Sequence, residues 1–259
     1  MKVRRQEDFM VRVFVCLSLL SVQSLLVAGM NDARLALRAG RPEEALRLYA
    51  ECLADGRDDA ALWYGLARAR FALDQLVLAA AACDAALFRD PSHQGAWALR
   101  GRVRVAQHRF PEAVRDLRQA LDLRPDDAWV CGELARVLGR QGRLEEGYRY
   151  AILAAESLPA DAGRMLGAAW AALALGRWQD AESWCLRAER AGAGRDRVAS
   201  IMPRIQMALA DGERRAGRIR EAGTRLLRII SDWPATPQAA TARMQLAALG
   251  RLAGSGKDP

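Results

Sequence analysis

The chain has 259 residues, 51% of them apolar and 27% charged, which is enough to bury a core and long enough for one or two domains. No stretch alternates apolar and polar residues for the length of a strand, so a sheet is not expected and helices are. The net charge of +8 and a pI near 9.8 suit a polyanionic partner, but 37 arginines against two lysines also look like GC-rich coding rather than charge selected at one site.

Near the N-terminus, residues 10–29 read MVRVFVCLSLLSVQSLLVAG, and after Arg12 no charge occurs from Val13 to Ala28. That length suits the core of a signal peptide better than a full membrane span, which needs about 20 apolar residues. Val27, Ala28 and Gly29 offer small residues for cleavage, and Cys16 lies too early in the run to form a lipobox. An apolar first helix is the alternative, but the run has no polar face. Residues 1–29 are therefore expected to be a signal peptide or an N-terminal membrane anchor, with translation starting at Met1 or Met10. In either case the rest of the chain is expected to be exported, periplasmic or held outside the cytoplasmic membrane by that anchor.

From residue 30 the sequence repeats itself. GRPEEA at 40–45 returns as GRLEEG at 142–147, GRWQDA at 176–181 and GRIREA at 217–222. Each reads as a joint between helices: a glycine to close one helix in the left-handed conformation, then acidic residues in the first turn of the next. Gly142 and Gly176 are 34 residues apart, as are Trp63 and Trp97, and Pro91, Pro125 and Pro159 follow one another at the same interval. With Gly40 as the fifteenth position, repeats start at 26, 60, 94, 128 and 162, and a sixth starts at 203 after seven extra residues. Position 8 is then Ala33, Ala67, Gly101, Ala135, Ala169 and Ala210, and position 20 is Ala45, Ala79, Ala113, Gly147, Ala181 and Ala222. Position 17 is apolar throughout: Pro42, Leu76, Phe110, Leu144, Trp178 and Ile219. Small residues belong where two helices approach closely, and the apolar column fills the space between them.

A 34-residue helix–turn–helix unit with Trp near position 4, small residues at 8, 20 and 27, and Pro at 32 resembles the tetratricopeptide repeat. The third repeat matches best, with Trp97, Gly101, Ala113, Ala120, Leu121 and Pro125 in place. The first departs at Gly29, Asp32 and Arg57, and the fifth at Ala193, where the closing proline is missing. The expected fold is all-α, an α-solenoid of about six such repeats over residues 30–235. A capping helix is expected at 236–253 and a flexible tail at 254–259. The joint at 190–202 is expected to be a bend or a lengthened helix. Thr236 is the expected N-cap of the last helix, with Pro237 at its first position. Trp63 and Trp97 are expected to be buried rings that carry much of the stack.

Little in the sequence points to catalysis. His93 and His108 lack partners at recognisable spacing, and no phosphate loop, zinc-ligand pair or nucleophile elbow occurs. Cys52, Cys83, Cys131 and Cys185 fall on packing positions and read as small buried hydrophobes. No catalytic residue, metal or cofactor is expected, and no small-molecule substrate.

Binding remains. In the tetratricopeptide family the first helix of each unit lines a concave groove, and the resemblance places ten residues of this chain there. Position 9 supplies Arg34, Arg68, Arg102, Arg136 and Trp170; position 13 supplies Arg38 and Arg140; Tyr64, Phe71 and Trp129 come from positions 5, 12 and 2. Guanidinium groups with interleaved aromatic faces suit an extended or acidic segment of another protein. The lysine and asparagine pattern with which relatives clamp a chaperone's C-terminal carboxylate is missing. The expected function is a non-enzymatic protein–protein interaction scaffold of the bacterial cell envelope. The alternative is a groove for an anionic polymer, nucleic acid or cell-wall polysaccharide; the apolar N-terminus sets nucleic acid in the wrong compartment.

Overall fold

The computed structural model describes residues 29–254. The signal or anchor segment lies outside them apart from Gly29, as does the tail beyond Gly254, and no described helix is long and apolar enough to cross a membrane. Among the described residues every regular element is helical, in pairs: α1 (29–38) with α2 (Pro42–Ala54), α3 (Ala60–Ala72) with α4 (Leu76–Arg89), and α5 (Gln94–Ala106) with α6 (Phe110–Leu123). They continue as α7 (Ala128–Arg140) with α8 (Leu144–Ser157) and α9 (Ala162–Ala174) with α10 (Trp178–Arg190). After a short α11 (Arg195–Ala199) come α12 (Met202–Arg215) with α13 (Ile219–Asp232), and α14 (Pro237–Gly254) closes the series. The helices form two compact lobes, one ending at Pro125 and the other beginning at Asp126.

The joints answer why the chain keeps writing Gly-Arg. Position 15 is left-handed in all six repeats: Gly40, Gly142, Gly176 and Gly217 at φ of 70 to 75°, and also Asp74 at 58° and His108 at 60°. The next residue's N–H then reaches back to the helix it leaves, in Arg41 to Ala36 O, Gln75 to Arg70 O and Arg109 to Arg104 O at 2.8–2.9 Å. Arg143 to Leu138 O, Arg177 to Ala172 O and Arg218 to Glu213 O repeat the bond at 2.9–3.0 Å. This is the Schellman closure, which satisfies carbonyls the helix end would leave orphaned. The arginine has its own task. Arg41, Arg109 and Arg177 pair with Glu44, Glu112 and Asp180 three residues on, at 2.6, 3.0 and 2.7 Å, and Arg143 and Arg218 pair likewise with Glu146 and Glu221. Such exposed pairs contribute little each, about 0–1 kcal/mol.

Asp74 and His108 carry a Cβ in a conformation that disfavours one by roughly 1–2 kcal/mol. Asp74→Gly and His108→Gly are therefore expected to raise stability by about 1 kcal/mol each, after the extra chain entropy of glycine. Urea denaturation at fixed pH checks this, and a loss of stability in both variants would refute it.

Between joints, the first helices α3, α5, α7 and α9 are capped by side chains. Asp59, Asp127 and Asp161 accept from backbone N–H groups two or three residues on, and His93 Nδ1 does the same for Ala96 at 3.0 Å. The small columns sit at the helix crossings: Ala33, Ala67, Ala45, Ala79 and Ala113 are fully buried, and a Cβ on Gly101 would lie 2.9 Å from Leu117. Tyr49, Leu62, Leu66 and Val103 fill the core of the first lobe. Met165, Trp184, Ile205 and Leu209 fill that of the second, and a further cluster holds Ile229 with Leu226 and Ala242.

Two expectations are corrected. Trp63 and Trp97 are only half-buried, because each indole N–H needs a polar partner: Asp58 Oδ1 at 2.6 Å for Trp63 and Pro91 O at 2.8 Å for Trp97. Each packs against the cluster of Ala86, Leu87 and Ala96 and also carries an arginine over its ring, Arg89 at 4.9 Å and Arg100 at 4.5 Å from the centroids. The joint at 190–202 is not a lengthened helix. Gly192, at φ 87°, ends α10, and the separate turn α11 tucks Val198 and Ile201 into the core beside Met165 and Trp184. At the far end Thr236 Oγ1 accepts from Ala239 N at 3.3 Å, so Thr236 caps α14 as expected.

Candidate functional site

In the first lobe, Arg34, Arg68 and Arg102 stand exposed on α1, α3 and α5, each following a buried small residue at position 8. The helix period fixes this: if position 8 is pressed on the second helix, position 9 is turned about 100° away. Arg34 Nη1 lies 3.5 Å from Asn31 Oδ1. Arg68 lies 5.8 Å from the ring centroid of Tyr64 one turn earlier, and Arg102 reaches across to Phe71 on α3 at 4.7 Å. Tyr64 also meets His93 with ring centroids 4.8 Å apart, and its burial pushes the phenol above the usual range, against the pull of Arg68. Arg38 is exposed in the last turn of α1. These side chains form a cationic, ring-studded strip that can hold carboxylates.

In the second lobe the expected residues divide. Arg136 on α7, ion-paired with Glu133 at 2.5 Å, and Trp170 on α9 line one cleft of about 600 Å³ floored by α8. Trp129 and Arg140 are exposed on α7 outside that lining. The cleft also takes in Gly132, Gly139, Gly163, Arg164 and Gly167, none of which the sequence singled out. Its signal was present but comparative: positions 5 and 12 are Tyr64 and Phe71 in the second repeat and Gly132 and Gly139 in the fourth.

Other reactive residue types have structural surroundings. The thiols of Cys83 and Cys185 are pushed up to about 12 by burial, and those of Cys52 and Cys131 are raised for the same reason; none of the four is in a disulfide. A thiol held protonated is a poor nucleophile. His93 is a helix cap, and His108 sits in a left-handed turn with its ring edge against Phe110 at 5.8 Å. Among the described residues no three His, Cys, Asp or Glu side chains cluster to hold a metal.

Residues 36–103 and 104–162 match the family model of the tetratricopeptide repeat. Several solved structures share the fold. One is pilF of Pseudomonas aeruginosa, at TM-score 0.66 and 16% identity, with 87% of this chain and 99% of that one aligned. Another is MamA of Desulfovibrio magneticus, at TM-score 0.54 and 22% identity over 64% and 92% of the two chains. A third is YrrB, described as a repeat protein with an unusual peptide-binding site, at TM-score 0.54 and 19% identity over 66% and 88%. No curated protein matches the sequence.

Proposed function

Since the chain belongs to the tetratricopeptide-repeat family, we propose that it is a non-enzymatic scaffold which holds an extended, acidic segment of another protein against the first-helix faces. The observation that carries this reading is the exposed set Arg34, Arg68 and Arg102, one per repeat, with two aromatic rings engaged by the same guanidinium groups. The peptide-binding site ascribed to YrrB supports it at the level of fold. The uncharged N-terminal run supports a role in the bacterial cell envelope, exported or anchored.

The arginines do not need a partner in order to exist. Unit charges about 10 Å apart in water repel by only roughly 0.4 kcal/mol, and salt at about 0.1 M screens over the same length. Their use is therefore a matter for substitution. Changing Arg34, Arg68 and Arg102 together to glutamate is expected to lower capture of the partner at least about tenfold. Helix content should hold and melting should change little, since exposed cation–π contacts contribute only about 0.5–1 kcal/mol each. The measurement is recovery, from the envelope fraction, of a partner identified by mass spectrometry. Undiminished capture by the triple variant would move the binding face elsewhere. RNA retention with a steep salt dependence would favour the anionic-polymer reading instead.

A further inference from the structure

We propose that the cleft walled by α7 and α9 and floored by α8 seats an aromatic side chain of the partner segment, with a carboxylate next to that ring in the partner. The proposal rests on the scaffold reading and adds the anchor's chemistry to it.

The chain itself shows what this slot takes. In the second repeat the rings of Tyr64 and Phe71 occupy positions 5 and 12 and lie under Arg68 and Arg102. In the fourth repeat the same positions are Gly132 and Gly139, position 9 is still an arginine, Arg136, and the space left is about 600 Å³. Ligand clefts span about 300–1,000 Å³, so a ring and its flanking backbone fit.

Packing does not demand these glycines. Neither Gly132, Gly139 nor Gly167 has a positive φ, and a Cβ on Gly139 or Gly167 would meet no atom within 4 Å. On Gly132 the nearest atom would be Arg164 Nη1 at 3.4 Å, an ordinary contact. Gly132 and Gly167, inside α7 and α9, nevertheless each lower helix stability by roughly 0.5–1 kcal/mol relative to alanine, so the fold keeps an opening that local stability opposes.

The walls then specify the occupant. Trp170, 41% exposed, lines the cleft and offers its indole to an offset or edge-on ring. Arg136 and Arg164 line it, the Arg204 guanidinium stands 5.5 Å from the Trp170 ring, and Arg197 Nη2 lies 2.9 Å from where a Gly163 Cβ would be. Against these four cations stand Glu133 and Asp161, ion-paired with Arg136 and Arg164. The surplus is positive, which selects an anionic neighbour for the ring and disfavours a cationic one.

The test uses the full chain and two small probes, phenylpropanoate (a ring with a carboxylate) and phenethylamine (the same ring with an ammonium group). By ligand-observed NMR titration, phenylpropanoate should bind one saturable site, and phenethylamine at least tenfold more weakly. Gly139→Phe, which places a ring where the second repeat has Phe71, and Gly167→Leu should each weaken phenylpropanoate at least tenfold. Circular dichroism checks the fold of both variants, so either one alone suffices. Absence of phenylpropanoate binding, equal binding of the two probes, or full binding by a folded filled variant would overturn the proposal. Loss of partner capture in the Arg34, Arg68 and Arg102 variant alongside such a failure would remove the cleft while the scaffold reading stands.

Discussion

Asp116→Ala is expected to destabilise the protein by about 3–5 kcal/mol, because it removes one partner from a buried ionic network. Asp116, on α6, is 1% exposed and accepts from Arg100 twice, at 3.0 Å to Nε and 2.9 Å to Nη2. Arg104 Nη1 reaches it at 2.7 Å, and Arg100 Nη1 also holds Asp84 on α4 at 2.5 Å while its plane lies on Trp97. One carboxylate thus ties α5 to α6 and indirectly to α4. Without it two guanidinium groups face each other across the vacated site, desolvated and without the counter-charge between them. The whole network is a different matter: exchanging Asp116, Arg100 and Arg104 together for apolar residues of similar size should be far milder, since attraction between buried ions barely repays their desolvation. Urea denaturation of the single and triple variants distinguishes the two cases. A single variant that loses less than about 1 kcal/mol would show that water reaches Asp116 and that the network is a surface feature.

Much of the fold was legible because a repeat exposes its own constraints. A column that is small in every copy, such as Ala33 to Ala210, marks a helix crossing, whatever each residue's own propensity. Register also explains what local chemistry hides: Asp74 and His108 do not look like left-handed residues, yet they stand where four glycines do. What the sequence concealed depends on depth. Arg34 and Arg100 are the same letter, but one is exposed and the other threads between helices to a buried carboxylate. Trp63 was misjudged because ring size suggests burial while the indole N–H requires a partner near the surface. The cleft was hardest to see, since a hole is made by side chains that are missing. Only setting Gly132 and Gly139 against Tyr64 and Phe71 reveals it. The seven inserted residues broke the period, and with it the means of reading α11.

That insertion creates a mechanical problem which Arg225 resolves, and Arg225→Ala is expected to cost about 3–5 kcal/mol in its turn. Earlier joints are fastened by the repeat's own residues, as Asp58 fastens Trp63 and Arg89. The fifth repeat ends without the closing proline, and α11 separates it from the sixth. Across this gap Arg225 on α13 donates to Glu213 on α12 at 2.7 Å, to Glu182 on α10 at 3.0 Å and to Gln206 Oε1 on α12 at 2.8 Å. Gln206, fully buried, returns a bond from Nε2 to Glu182 at 2.7 Å. Four side chains therefore set the register of α12 and α13 on α10 where sequence periodicity no longer does. Truncating Arg225 leaves Glu213, 8% exposed, and Glu182 without their shared cation, and orphans the Gln206 carbonyl. The expected signature is local as well as global. Amide exchange should quicken first in α12 and α13, while amides of the first lobe keep their protection. Uniform loss of protection through both lobes, or none at all, would show that the clamp does not hold this joint.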